Sequence, residues 1–154
     1  MVQPDRRLVP IVSLDVVGYS RLVQRNERQT LRLVQMVYEQ LVNRTIGAHG
    51  GKVFKTMGDG ALVEFPSVED GVEWALAFQT EMAKFNDARA GDPIRARLGV
   101  GLADVFVQGE DRFGAAVGFV VRLQESAPPG GIAITHSVRW QLATTLAARF
   151  TVSE

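Results

Sequence analysis

Two aspartates, Asp15 and Asp59, are the side chains of this chain whose types and surroundings best suit chemistry. Each lies at the end of an apolar segment and near glycines, where the backbone can approach a ligand closely. Two convergent carboxylates suit hard cations such as Mg²⁺ or Mn²⁺, which take their remaining ligands from water and substrate phosphates. The pair therefore predicts two-metal phosphoryl chemistry. On spacing alone an alternative stays open, in which Asp59 is a favourable turn residue and Asp15 a strand-end acid.

Composition limits which ligands the chain can hold. The 17 Lys and Arg balance the 17 Asp and Glu, so no overall field attracts nucleic acid or an anionic membrane. The absence of cysteine excludes disulfides, thiol catalysis and cysteine-ligated metals, and the two histidines argue against a histidine-rich metal site. Any metal must therefore be held by oxygen.

The length and hydropathy of the chain indicate its class. A length of 154 residues with 46% hydrophobic residues suits one domain, predicted to span 1–154. The amino-terminal sequence MVQPDRRLVPIVSLDVV lacks the pattern of a signal peptide, and no run approaches the roughly 18 apolar residues of a membrane span. We therefore expect a cytoplasmic protein without a membrane partner.

The elements that must position the two acids are a strand and a hairpin. Residues 8–17 are rich in Val, Ile and Leu, which predicts a buried strand that ends near Asp15. Lys52–Met57 and residues 61–65 flank Gly58-Asp59-Gly60, and this pattern predicts a β-hairpin with Asp59 at its tip. If the strand and the hairpin are neighbours in one sheet, both carboxylates emerge at the same edge.

The rest of the chain alternates helices and strands. A capping box at Ser67 and Asp70 opens one helix, and a strand over 94–107 is expected to be interrupted around Gly99 and Gly101. The further predicted elements are helices at 27–46, 114–125 and 137–146, a strand at 132–135 and a last strand near Phe150. This order predicts an α+β, ferredoxin-like fold with a mostly antiparallel sheet flanked by helices.

Three segments that contain these elements occur in a recognisable order. They read LVPIVSLDVVGYSRLV, then HGGKVFKTMGDGALVEF, then RARLGVGLADVFVQGEDRFGAAVGFVVRLQESAPPGGIAIT. Together they resemble the catalytic domain of class III adenylate and guanylate cyclases over nearly the whole chain. The resemblance implies that Asp15 and Asp59 hold two Mg²⁺ or Mn²⁺ ions, with the carbonyl of Val16 as a further ligand.

The resemblance also implies how the chain would bind its nucleotide. The turn after the first aspartate would surround the triphosphate with backbone N–H groups of Val17, Gly18, Tyr19 and Ser20. Lys55 occupies the place of the lysine that reaches the adenine ring in members that use ATP, and we expect it to be buried. A lysine that is simply solvated at a strand end is the alternative.

The third segment departs from the family pattern. Ala115 stands where the family has the Asp or Thr that selects the base, and Gly118 stands where it has the Asn that orients the ribose. Arg122, which matches the family's phosphate-binding arginine in the transition state, is present. Steps of three and four place the three positions on one helix face. An ordinary core helix is the alternative interpretation of this segment.

A further departure concerns the end of the domain. Relatives continue with a strand pair that carries a phosphate-binding lysine, whereas this sequence ends at Glu154, so we expect that contact to be missing. Lys52, Arg95, Arg97 and Arg112 are candidates to replace it, and the sequence alone does not place any of them.

These departures lead to three functional hypotheses. The first is a domain that binds a nucleoside triphosphate, ATP above all, in a head-to-tail homodimer, with weak or no ordinary adenylate cyclase activity. Loss of one preorganised group typically costs about 10² to 10³ in rate, whereas binding should suffer less. The second is an active cyclase with altered base choice, for example a pyrimidine triphosphate, with a pocket reshaped by Phe119, Arg122 or Tyr19. The third is a non-catalytic dimerisation or regulatory module.

Overall fold

Six β-strands form one sheet within residues 5–151, the part of the chain that the computed structural model describes. The strands are β1 (Asp5–Val16), β2 (Lys52–Met57), β3 (Gly60–Glu64), β4 (Ala96–Gln108), β5 (Asp111–Phe113) and β6 (Ile132–Ile134). Their order is β2-β3-β1-β4-β5, and β6 lies parallel beside β4 while the other pairs are antiparallel. The predicted α+β fold with a mostly antiparallel sheet is confirmed.

Helices pack on both faces of this sheet. They are α1 (Tyr19–Arg25), α2 (Glu27–Val37), α3 (Asn43–Ile46), α4 (Val68–Asp87), α5 (Ala115–Glu125), α6 (His136–Trp140) and α7 (Thr144–Ala147). A π-helical turn, Tyr38–Val42, joins α2 to α3, and a 3₁₀ turn, Gly47–His49, follows α3. Across residues 5–151 every helix is too short or too polar to cross a bilayer.

The predicted capping box does begin α4. The Ser67 hydroxyl accepts a hydrogen bond of 3.0 Å from the Asp70 amide, which satisfies one of the amides left open at a helix start. From there α4 buries Trp74 and Phe78 completely against the sheet. The indole Nε1 of Trp74 donates to Thr45 Oγ1 at 2.9 Å, so its one polar atom is paired inside the core. This packing fixes the helical layer that supports the candidate site.

Strand β1 presents alternate residues to the two faces of the sheet. Val12, Leu14 and Val16 lie in the larger core, under α2 and α4. Ser13 lies on the other face, where its hydroxyl donates a 2.9 Å hydrogen bond to the side-chain oxygen of Gln124 on α5. By the same alternation Asp15 lies on the α5 face, at the carboxyl end of the strand.

The predicted interruption of the strand at Gly99 and Gly101 is wrong, because β4 runs continuously through both. The glycines instead let α5 approach the sheet closely. A Cβ on Gly99 would lie 2.6 Å from the backbone nitrogen of Gln124, and one on Gly101 would lie 2.8 Å from Val120 Cγ2. The glycines therefore set the depth at which α5 sits.

The last part of the described chain also differs from prediction. The helix expected over 137–146 is two short helices, α6 and α7, because the backbone at Ala143 is not helical, with ψ of 146°. In place of the strand predicted near Phe150, the chain there has no strand pairing, and the Phe150 ring packs against the core. The short strand β5 was not predicted. The predicted domain end at Glu154 lies outside the described residues.

Candidate functional site

The turn that carries Asp59 packs directly on the end of β1. Pairing of β3 with β1 brings Gly60 so close that a Cβ there would lie 3.1 Å from the Leu14 carbonyl oxygen. Asp59 Oδ2 accepts a 2.9 Å hydrogen bond from the amide of Val16, the residue after Asp15. The structure therefore brings the two predicted acids together at one edge of the sheet, and their role as metal ligands stays a prediction.

Tyr38 supports this turn from the helical side. Its hydroxyl donates a 2.7 Å hydrogen bond to the main-chain carbonyl of Asp59. Burial, and then the negative charges of Asp59 and Asp15, raise the pKa of Tyr38 well above its ordinary value, so the hydroxyl keeps its proton and remains a donor. Tyr38 begins the π-helical turn, a feature frequent at functional sites.

Tyr38 lies within the helix predicted over 27–46, and its contact with the Asp59 turn was not predicted from the sequence. The signal available in the sequence is a tyrosine among valines and leucines on one face of that helix, because a buried phenol needs a hydrogen-bond partner.

Arg97 is the basic residue that contacts Asp15. It lies directly opposite Asp15 in the β1–β4 pairing. Its Nη2 is 3.0 Å from Asp15 Oδ2 and its Nε is 3.3 Å from Oδ1, a two-pronged ion pair. Its Nη1 donates to the carbonyl of Glu125, the last residue of α5, at 3.1 Å. A cation is therefore fixed between the Asp15 carboxylate and the end of α5.

The other basic candidates from the sequence lie elsewhere. Lys52 pairs with Glu110 and lowers the pKa of that carboxyl group, chiefly through a hydrogen bond. Arg112 Nε pairs with Glu64 Oε1 at 3.0 Å, and the side chain of Arg95 is exposed. Among the four candidates, all within the described residues, Arg97 is the one that forms an ion pair with an aspartate of the candidate site.

The turn predicted to surround a triphosphate begins with an amide that the fold already uses. The Val17 amide donates a 2.8 Å hydrogen bond to the carbonyl of Arg95. Gly18 adopts the left-handed region, with φ of 66°, and Tyr19 and Ser20 begin α1. Amides at a helix start have no acceptor within the helix, so Tyr19 and Ser20 fit the predicted role better than Val17 does.

Lys55 is exposed, which corrects the expectation that it is buried. It lies on β2, an edge strand of the sheet, next to an irregularity in the pairing with β3 between Val53 and Lys55. Within residues 5–151 its side chain forms no ion pair. Its position beside the hairpin turn keeps it near Asp59 in sequence, and its contact with a base stays a prediction.

The predicted face of α5 lies at the surface and is not core. Ala115 and Arg122 are exposed, whereas α5 buries Val120 and Gln124 on its other side. The Arg122 guanidinium folds over Gly118, since a Cβ on that glycine would lie 3.5 Å from Nη1. On this surface the one side chain with polar atoms among the three predicted positions is therefore Arg122.

The donor set fits a hard divalent ion that arrives with its own anionic ligand. Residues 5–151 contain no cluster of three or more histidine or acidic side chains that would enclose a metal. Two carboxylates at one edge, beside the backbone of Val16, supply only oxygen donors. Mg²⁺ and Mn²⁺ use such sites when phosphate oxygens and waters complete their coordination.

The two acids lie outside the clefts found near the carboxyl end of the described chain. A cleft of about 1000 Å³ lies between α4, β6 and the end of α5, and another of about 490 Å³ lies beside Trp140. Neither is lined by Asp15 or Asp59. The edge of the sheet that carries Asp15 and Asp59, called the acidic edge below, is therefore separate from both clefts.

Comparison with known proteins identifies the family. No family model matches the chain. A crystal structure of an adenylate/guanylate cyclase/hydrolase from Silicibacter pomeroyi is 32% identical, covers 88% of this chain and 80% of its own, and has a TM-score of 0.81. The chain therefore belongs to the class III adenylate and guanylate cyclase catalytic domains.

Two curated relatives agree with this assignment. A Rhizobium meliloti (strain 1021) protein named "Putative adenylate cyclase 3" is 42% identical over 86% of the chain. A Streptomyces coelicolor adenylate cyclase is 28% identical over 92% of it. The chain spans 23% and 35% of the length of these two relatives, so they contain extensive further sequence.

Proposed function

We propose that this domain binds a nucleoside triphosphate, ATP above all, together with two Mg²⁺ or Mn²⁺ ions at the edge formed by Asp15 and Asp59, with weak or no ordinary adenylate cyclase activity. The observation that carries the proposal is a contrast between two surfaces. Both carboxylates lie at the same edge of the sheet. Hydrogen bonds with Val16 and Tyr38 hold the turn that carries Asp59. The α5 face has no polar side chain at Ala115 and Gly118, where the family pattern has one.

The chain's own residues would divide the work of binding. Asp15 and Asp59 would hold the ions, and Tyr38 would keep the Asp59 turn against β1 through its 2.7 Å hydrogen bond. The amides of Tyr19 and Ser20, at the start of α1, would donate to the triphosphate. Two divalent ions, when bound, would neutralise the phosphates and promote in-line attack at phosphorus.

A head-to-tail dimer would complete the site. Arg122 is exposed on α5 and makes no ion pair with another described residue, so it is available to an anion supplied from outside its own chain. Phe119, next to this face, is 52% exposed. A large exposed aromatic side chain beside Arg122 supports burial of this face by a second copy.

Weak turnover follows from what α5 lacks. A preorganised group that acts on the reacting centre is typically worth about 10² to 10³ in rate, so two missing groups would reduce catalysis severely. Binding of the triphosphate would suffer less, because the ions, the turn amides and Arg122 act on phosphate oxygens. Binding is therefore expected to outlast catalysis.

An active cyclase with altered base choice is the second candidate. It is favoured by the exposure of Lys55 and by the open space at Gly118, where the Arg122 guanidinium is the one neighbour within 4 Å of an added Cβ among the described residues. A site without its base-selecting side chain discriminates bases less well and does not forbid their entry.

A product assay separates the candidates. The protein is incubated with Mn²⁺ and each of the four ribonucleoside triphosphates, and 3′,5′-cyclic products are quantified beside the variant Asp59→Asn. The melting temperature is measured in the same mixtures. Under the leading proposal, nucleotide raises the melting temperature and little cyclic product forms. Rapid product from a pyrimidine triphosphate that Asp59→Asn abolishes would establish altered base choice. A thermal shift of zero with every nucleotide would instead favour a non-catalytic module.

A further inference from the structure

The two aspartates of the candidate site are held in different ways. Asp59 accepts a hydrogen bond from a neutral backbone amide, that of Val16. Asp15 instead faces the full positive charge of Arg97, which engages both of its carboxylate oxygens. Asp15 is therefore already paired with a positive charge, as it would be with a metal ion.

Arg97 is held firmly at this position. The side chains of Arg97 and Asp15 are only 25% and 26% exposed, so solvent screens their attraction less than that of a surface pair. The third contact of the guanidinium, from Nη1 to the Glu125 carbonyl, lies at the carboxyl end of α5. Carbonyl groups at that end carry partial negative charge and stabilise a cation. Three contacts in a fixed fork make Arg97 a preorganised counter-ion.

We propose that Arg97 is an internal cation that occupies the Asp15 carboxylate and that an incoming divalent ion must displace. The inference rests on the proposed metal site. Both oxygens of Asp15 accept hydrogen bonds from Arg97, so a metal ion has to compete with the guanidinium for the lone pairs of this carboxylate. The arginine charge also repels a dication that approaches the same carboxylate.

The consequence is that a bare metal ion binds weakly and a metal ion that arrives with an anion binds well. The accompanying anion supplies negative charge that offsets the repulsion between the dication and Arg97. Asp59 carries no such internal cation within the described residues, so the arginine acts on one of the two acids. Arg97 thereby makes metal binding depend on nucleotide binding.

Titration with Mn²⁺ in the absence of nucleotide tests this inference. Free Mn²⁺ is measured by electron paramagnetic resonance for the wild type, Arg97→Gln, Asp15→Asn and the matched control Arg95→Gln, which removes an exposed arginine two residues away. A neighbouring opposite charge commonly shifts a carboxylate equilibrium by at least about tenfold. We expect Arg97→Gln to bind Mn²⁺ about tenfold more tightly than the wild type, Arg95→Gln to match the wild type, and Asp15→Asn to bind least.

The outcomes separate this inference from the proposed function. Equal or weaker Mn²⁺ binding by Arg97→Gln, together with a loss in Asp15→Asn, overturns the role of Arg97 and leaves the metal site intact. Mn²⁺ binding that is undetectable in both the wild type and Arg97→Gln, or that is insensitive to Asp15→Asn, overturns both.

A second measurement does not depend on the folding of a variant. The Nε–H resonance of Arg97 in the wild-type protein is followed by NMR as Mg²⁺ and a non-hydrolysable triphosphate analogue are added. We expect this resonance to shift while that of Arg95 stays in place. An Arg97 resonance that does not move at saturating ligand contradicts the displacement.

Discussion

The Val16 amide and the Asp59 carboxylate are joined by a 2.9 Å hydrogen bond that links the end of β1 to the β2–β3 turn. Because Asp15 immediately precedes Val16, this contact ties the Asp59 side chain to the residue next to Asp15. It does so without a cation, so the geometry of the turn does not depend on a bound metal. A preformed acidic edge is the physical basis of the proposed function.

Substitutions of Asp59 should separate its structural contact from its charge. Asp59→Asn keeps an oxygen that can accept from Val16 and loses the negative charge, so we expect near-wild-type stability and loss of metal-dependent nucleotide binding. Asp59→Ala also leaves the amide unpaired, which should cost about a further 1 kcal/mol of unfolding free energy. Urea denaturation and thermal shift with Mn²⁺ and nucleotide measure the two effects. Equal nucleotide binding by Asp59→Asn and the wild type would contradict the assigned role.

Two glycine-to-alanine substitutions should change the free energy of unfolding in opposite directions. Gly99→Ala would place a Cβ 2.6 Å from the Gln124 backbone, which a side-chain rotation cannot relieve, and should destabilise the fold by about 1–3 kcal/mol. Gly118→Ala meets only the flexible Arg122 guanidinium at 3.5 Å and should stabilise α5 by up to about 1 kcal/mol. Chemical denaturation of both variants checks this. A neutral Gly99→Ala would mean that α5 does not sit at the observed depth.

Removal of the Tyr38 hydroxyl should change how stability depends on pH. The raised pKa of folded Tyr38 means that, above its ordinary value of 10.0, the unfolded chain loses this proton first, so wild-type stability falls as pH rises. Tyr38→Phe should cost about 1 kcal/mol near neutral pH through the unpaired Asp59 carbonyl. The difference in unfolding free energy between the two proteins should therefore shrink above pH 10. A difference that stays constant or widens with pH would refute this account.

Restoring the polar face of α5 should restore catalysis. The double variant Ala115→Asp, Gly118→Asn returns the base-selecting and ribose-orienting residues of the family pattern to two positions at the surface. We expect cyclic AMP formation from ATP and Mn²⁺ to rise by at least about 10²-fold, with little change in nucleotide affinity. The single variants serve as controls. If the double variant is as slow as the wild type, another part of the site limits the reaction.

The elements that hold the two acids could be predicted because their signals are local. A segment rich in Val, Ile and Leu that ends near Asp15 and an Asp-Gly turn at Asp59 each specify their own conformation. The helix start at Ser67 is equally local, since its hydroxyl and the Asp70 amide are three residues apart. Such features need no knowledge of the rest of the fold.

What the sequence did not reveal depends on contacts between distant residues. The glycines at 99 and 101 resembled strand breakers, and only the approach of α5 explains why the strand continues through them. Arg97 was one of four equivalent basic candidates until strand pairing placed it opposite Asp15, 82 residues away in sequence. Lys55 lies on an edge strand, a position that only the order of the strands in the sheet decides.

Isothermal titration calorimetry with a non-hydrolysable ATP analogue in the presence of Mn²⁺ tests the central claim most directly, with a cyclic AMP assay on the same protein. The account predicts that the wild type binds the analogue, that Asp15→Asn and Asp59→Asn lose most of this binding, and that cyclic AMP forms slowly or not at all. Absence of binding at millimolar analogue, or rapid formation of cyclic AMP by the wild-type protein, would contradict it.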